Sequence, residues 1–507
     1  MSSTSRIVSP TNELLTPDSV SSLNPRAGAS IRADGEPLAG SSAIVAIGTQ
    51  PTEALTYAVP LPSVQQVWTA GTNDDAVSKL IANNSTATDV ARRLRGLGAA
   101  LLEGYKGEAG NYRQALLSFS GVAGSAAAEQ AQQVADIELQ LVPVQKFALT
   151  LKTQSGATVE LSIASRPDGL GVELKTSQTL SSHELKAVQD LADGFEATVK
   201  GLTEVPPRIA IDALSRFDSS AIASLDLRAR FSKEGGEPFG LALSATAAGR
   251  TLNVETPAGA LNLSVDLANP QIRGDQAQRN KALGNYLAQV DVAAKRGNGD
   301  KALVDLFKNA FSEIHAYYPD DGNAVARLPL RDYEKAALSG LADFKADIRA
   351  TAIASNPVRP GEVDYFNYQT SQESTLAMGA RTRLTQAQEA VLEAAFHQGL
   401  KSDKAPVLTA DPRSQNYRYV QVNDRISSKV TIEHDELGPV SAGLEKSAST
   451  LTGIQTYERG KLLKEERTPD QHSAVIDLLN TFKSLSLDPA ERKRQLVSLN
   501  DQALLKA

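Results

Sequence analysis

The chain of 507 residues contains no cysteine. Disulfides, thiolate metal sites, iron–sulfur clusters and cysteine nucleophiles are therefore excluded. Freedom from thiols suits a protein that is exported or meets oxidants, since nothing can mispair. Tryptophan occurs once, at Trp68, and aromatic residues make up only 5% of the chain. That scarcity argues against a carbohydrate cleft built on aromatic platforms, although paired carboxylates for glycoside hydrolysis leave no local signature. No run approaches ~18 apolar residues, so no membrane insertion is expected. Residues 1–30 lack the apolar stretch and clustered positive start of a secretory leader.

Cofactor and nucleophile motifs are missing too. The chain has no G-x-x-x-x-G-K-[ST] phosphate loop and no G-x-S-x-G elbow. Its nearest dinucleotide-like fragment is Gly96-x-Gly98, in "RGLGAALLEG". A dinucleotide fold needs a strand before that turn and a third small residue. Here position 101 is Leu101 and the surroundings read as helical. Close helix packing or a bend is the better reading, and no cofactor is expected.

What is present is an ordinary globular composition: 41% hydrophobic, 22% charged, net charge −7. Such a chain has no global attraction to phosphate backbones, so no nucleic-acid partner is expected. The basic runs Arg92-Arg93-x-Arg95 and Arg492-Lys493-Arg494 read as solvated helix faces.

Five stretches follow one another. Residues 1–72, rich in Ser, Thr and Pro, are expected to be disordered. Their polar, acid-poor start resembles the N-termini of bacterial proteins exported by type III machinery; an ordinary frayed terminus is the alternative. The compartment is therefore read as cytoplasmic or reached by a leaderless route. Residues 73–145 read as helical. Val90, Leu94, Leu97 and Leu101 share a face, and Tyr112, Ala115, Leu116 and Phe119 suggest a second short helix.

Residues 146–270 read as an antiparallel β module. In "FALTLKTQSGATVELSIA", Phe147, Leu149 and Leu151 alternate toward one face, with Val159, Leu161 and Ile163 opposite. A helical insertion near 182–222 opens with the capping box Ser181-x-x-Glu184. Alternation then returns from Leu225 to Leu267. Residues 271–405 read as a helical domain. It includes the stripes Leu303, Leu306, Phe307, Phe311 and Leu338, Leu341, Phe344, Ile348, a linker in "SNPVRPGEVDYFNYQTSQ", and a helix in "LTQAQEAVLEAAFHQGL". Residues 406–507 read as short strands at 417–422 and 429–434, then helices, the last started by Asp488-Pro489-x-Glu491. The expected fold class is α+β and multidomain: an antiparallel β-sheet or open sandwich with a helical insertion, flanked by α-helical regions.

Candidate chemistry is thin. His183, His315, His397 and His472 read as structural or exposed. His434 sits in "TIEHDELG" beside Glu433, Asp435 and Glu436. On a strand, Glu433 and Asp435 would point one way and His434 and Glu436 the other, so no metal site is expected. "YYPDDGN" offers Asp320, Asp321 and Asn323 but lacks the spacing of a calcium loop, and reads as a turn. No catalytic residue can be named.

Two segments, "ARRLRGLGAALLEGYKGEAGNYRQALL" and "LSSHELKAVQDLADGFEATVKGL", resemble stretches of uncharacterised bacterial proteins of comparable length. The resemblance implies a bacterial origin and carries no activity. The expected function is a non-catalytic interaction or structural protein, possessing a polar sheet face or edge strand for another protein. The alternative is an enzyme whose site is assembled by the fold. A pocket with acids of perturbed pKa, between the strand module and the helices after Asp275, would favour it. A nicotinamide-dependent oxidoreductase is the weakest version, because it requires a parallel sheet.

Overall fold

The computed structural model describes residues 63–70, 74–121, 126–232, 238–319, 330–435 and 438–505. Most of the stretch expected to be disordered, and the "DDGN" turn with Asp320, Asp321 and Asn323, lie outside the described residues.

The described region opens with β1 (Ser63–Trp68) and three short helices, α1 (Ala76–Ser85), α2 (Val90–Leu94) and α3 (Leu97–Glu103). β2 (Gly110–Gly121) and α4 (Ala126–Leu141) lead into β3 (Gln145–Thr153), β4 (Thr158–Arg166) and β5 (Gly169–Thr176). α5 (Ser182–Gln189) and α6 (Ala192–Thr203) precede β6 (Ile222–Phe231), β7 (Phe239–Thr246), β8 (Gly249–Thr256) and β9 (Gly259–Asp266). α7 (Gln276–Gly297), α8 (Lys301–Ile314) and α9 (Asp332–Ala336) come before β10 (Asp343–Ala350). Long strands then follow: β11 (Tyr365–Ala377), β12 (Thr382–Gly399), β13 (Tyr417–Asp435), β14 (Gly438–Glu458) and β15 (Lys461–Asp477). α10 (Leu478–Lys483) and α11 (Pro489–Ala503) close the described part.

The 15 strands form one sheet in the order β1-β2-β5-β4-β3-β6-β7-β8-β9-β10-β11-β12-β13-β14-β15. All neighbours are antiparallel, and from β6 onward each strand pairs with the next in sequence. The fold is thus mixed α/β and mostly strand. The alternation read in Leu225–Leu267 becomes β6–β9, whose burial alternates residue by residue. Their inner side chains join one core with Phe195 of α6, Tyr286 of α7 and Phe311 of α8. α4 packs elsewhere, seating Leu139 with Ala115 and Leu117 in a small separate cluster.

Local signals in the sequence act as expected. Ser181 and Glu184 form a reciprocal capping box on α5, and Asp488 caps α11 with Pro489 in its first turn. Gly98 is the close approach: a Cβ there would lie 2.3 Å from the Phe195 ring. Gly96 starts α3 with φ +73°, a conformation that glycine adopts without strain.

Four expectations of helix are corrected to strand. Tyr112–Phe119 is part of strand β2, not a helix. Leu341 and Ala342 lead into strand β10, which carries Phe344 and Ile348. "LTQAQEAVLEAAFHQGL" lies in strand β12. His472 lies on strand β15, where a helix was expected. In each case ladder hydrogen bonds outweigh a helix-favouring composition; β12, rich in Ala, Gln and Glu, is paired along its length with β11 and β13. Trp68, assigned by sequence to the disordered stretch, pairs in β1 with Leu116. The two short strands expected at 417–422 and 429–434 are one continuous β13.

Candidate functional site

A dense group of titratable side chains sits on the face of β12–β14 turned away from α7. His397 of β12 lies opposite Tyr419 of β13, and Tyr417 lies opposite Tyr457 of β14. The alternation of β13 places Tyr417 and Tyr419 on this outer face, while Val420, Val422 and Ile426 face inward. Segment 351–364, between β10 and β11, folds over the tyrosines and brings Asn356, Arg359, Glu362 and Asp364.

The His397 side chain is 1% exposed. Its Nδ1 lies 2.6 Å from Asp364 Oδ1 and its Nε2 3.2 Å from Glu362 Oε2. Where both carboxylates are ionised they only accept, so both ring nitrogens donate and the ring is an imidazolium. Burial alone would lower its pKa, but the hydrogen bonds and charges of Asp364 and Glu362 outweigh burial and raise it. The Tyr417 hydroxyl donates to the same Glu362 oxygen at 2.6 Å and accepts from Asn356 Nδ2 at 2.9 Å. Burial, then Glu362, push Tyr417 far up, and burial with nearby Tyr365 pushes Tyr419 up to about 12. Arg359 stacks over the Tyr457 ring at 4.4 Å. With both nitrogens occupied, His397 has none left for a base, a nucleophile or a metal. The group works as a lock that fastens segment 351–364 to the sheet.

The other histidines separate. His315 ends α8, buried against Phe311 and Phe344, with Nδ1 2.7 Å from the Tyr318 hydroxyl. Burial and the nearby Arg250 push its pKa down to about 3. Arg250 donates to the carbonyls of Ile314, Tyr317 and Ser215, closing the C-terminal end of α8. His183 and His472 are exposed and pair with Asp218 and Asp470.

His434 faces inward, and its Nε2 is 3.7 Å from Glu334 Oε1, too far for a hydrogen bond. Glu433 turns outward to Arg383, and Asp435 accepts from the Gly438 N–H. The strand alternation thus separates His434 from Glu433; Glu436 lies outside the described residues. Among the described residues no group of three or more His, Asp or Glu side chains could hold a metal ion. No helix among them is long and apolar enough to cross a membrane.

Sequence reading passed over the members of the lock. "YRY" at 417–419 repeats tyrosine at the strand period, which signals a shared face. Glu362 and Asp364 lay in a stretch read as linker, and nothing local tied them to His397.

At the far edge of the sheet, every residue of β15 except Ile476 is exposed. Leu462 is 49%, Leu463 61% and Val475 82% exposed. Its second edge has no strand partner among the described residues. Two open grooves on the outer face, of about 390 and 470 Å³, run up to it at Arg467 and at Val475. No family model matches the chain, and no curated protein or solved structure matches it.

Proposed function

We propose that the chain is a non-catalytic interaction protein that presents the β14–β15 end of its sheet to another protein. The observation that carries this reading is β15, exposed on both faces over nearly its whole length and paired on one side only. A strand of this kind offers main-chain groups for strand addition, and the grooves beside it offer places for side chains. The locked state of His397 supports the same reading, because it withholds the most elaborate titratable group from substrate chemistry.

The enzyme alternative is supported by acids whose pKa burial raises: Glu196, which accepts from the Gly96 N–H at 2.7 Å, and Asp343 of β10. The Asp343 carboxylate already accepts from Ser374 Oγ and N–H, at 2.8 and 2.9 Å. The cavity that Ser374 lines holds about 20 Å³, room for a single water. A bacterial source, a division into several domains and leaderless export belong to the same proposal. Export is tested separately, by fractionating the producing cell with and without residues 1–62.

Pro469 suggests a clean test. Proline is tolerated in an edge strand where its missing N–H faces the free side. Ser473, four residues on, has the same orientation. Ser473→Pro therefore removes a free-edge donor while leaving the ladder to β14 intact. Mixed with extract of the native cell, the wild-type chain is expected to elute in a larger assembly and S473P as the free chain. Identical elution of the two would overturn the reading.

A further inference from the structure

The inner face of the long strands is largely apolar but carries buried polar groups, among them Thr370, Gln386 and one row that crosses four strands. Gln372 of β11 pairs with Gln388 of β12, Gln388 with Ser428 of β13, and Ser428 with Lys446 of β14. These four side chains therefore line up across four strands. The first three are almost fully buried, at 2%, 1% and 1% exposure. Burying such a row is unfavourable unless every group finds a partner.

Gln372 donates to the Leu341 carbonyl at 2.9 Å; for the other three the partner is a piece of main chain. Residues 503–505 run between the row and α7. Gln388 grips them with both ends of its amide: Nε2 donates to the Ala503 carbonyl at 3.2 Å, and Oε1 accepts from the Leu505 N–H at 3.1 Å. Ser428 Oγ also donates to Ala503 O at 2.9 Å, and Lys446 Nζ donates to Leu504 O at 2.9 Å. From the other side, Asn285 and Gln289 of α7 donate to the Leu505 carbonyl. Tyr286 of α7 donates to Gln388 Oε1 and holds that amide in orientation. Ala503 ends the helix and Leu504 has left it, with φ −67° and ψ 146°, so the chain turns extended at Leu504. Leu504 and Leu505 are each 1% exposed and join the main core.

We propose that this row is a peptide-recognition site for an extended segment carrying two adjacent leucines, filled here in cis by residues 503–505. Two features set it apart from ordinary core packing. The polar contacts address main-chain atoms, from three strands and a helix distant in sequence, so they fit any segment of that backbone form. The leucines supply the remaining selectivity through the apolar surroundings. The element that delivers the segment buries few side chains, within α11 only Leu499, Asn500 and Ala503, and is held chiefly by polar contacts: Arg492 to Asp332, Asn500 to the Ala336 and Leu338 carbonyls, and Lys281 to Val497 O and Asp501. The site would accept a segment of the same chemistry from another chain once the resident one is weakened. This inference does not depend on the role given to β15.

The test uses the full chain with Leu504→Ala and Leu505→Ala, which weakens the resident segment but keeps its main chain. A fluorescein-labelled peptide of residues 500–507, NDQALLKA, is titrated against it and followed by anisotropy. Saturable binding at least tenfold tighter than to the wild-type chain is expected. Adding Gln388→Ala should abolish that binding, as should replacing both peptide leucines with aspartate. Equal or undetectable binding to the variant and the wild-type chain overturns the proposal. So does binding that survives Gln388→Ala. If the double variant loses its fold by circular dichroism, Leu505→Ala alone is read in the same way.

Discussion

Replacing His397 with phenylalanine keeps a flat ring between Tyr417 and Tyr419 but removes both donors. Asp364 and Glu362 would then face an apolar ring, with side chains only 23% and 12% exposed in the parent structure. Breaking a buried, hydrogen-bonded charge arrangement from one side costs about 3–5 kcal/mol. A loss of about 3 kcal/mol raises a local opening equilibrium more than ~100-fold. The loss should fall on segment 351–364, since its anchors are Asp364, Glu362 and Asn356. Hydrogen exchange at matched pH reads this directly, because intrinsic exchange rates cancel between variant and parent. The pH trend is set by the sign of the shift. The folded-state pKa of His397 is raised, so its stabilisation is fully present below the unfolded value of about 6.5. It is lost as pH rises through the folded value. The protection lost in His397→Phe should therefore be greatest in acid and shrink above neutrality. Equal protection in the two proteins, or a difference that grows with pH, would refute the lock.

Three further outcomes follow from particular contacts. Gly98→Ala would place a methyl 2.3 Å from the Phe195 ring, so a stability loss of about 1–3 kcal/mol is expected in thermal unfolding. Glu184 is held down to about 2 by hydrogen bonds from Ser155 and Ser181, and its contribution exists above the unfolded value of about 4.3. Glu184→Gln should cost about 1 kcal/mol at pH 7, and the gap to the parent should close as pH falls toward 2. Arg250→Met leaves the carbonyls of Ile314, Tyr317 and Ser215 without their donor, at a cost of about 3 kcal/mol by denaturant midpoint.

Legibility in the sequence followed the physics of each element. β6–β9 were readable because one face is buried and the other wet, which forces alternation at the strand period. The caps of α5 and α11 were readable because capping is settled within four residues. β12 was not, since Ala, Gln, Glu and Leu favour a helix and only pairing with β11 and β13 decides otherwise. β15 carried no alternation at all, because with both faces exposed nothing requires one. His397 was visible as a residue but not as a lock. Glu362 and Asp364 reach it only through the return of segment 351–364 over the sheet, a contact that no local pattern encodes.

The central claim is that β15 is where this protein meets another. A photo-crosslinking side chain placed in turn at Leu462, Val475 and, as a control on a distant strand, Lys152 tests it in the native cell. The account expects protein adducts at Leu462 and Val475, their loss with Ser473→Pro, and none at Lys152. Adducts spread evenly over the three positions, or absent from β15 altogether, would contradict it.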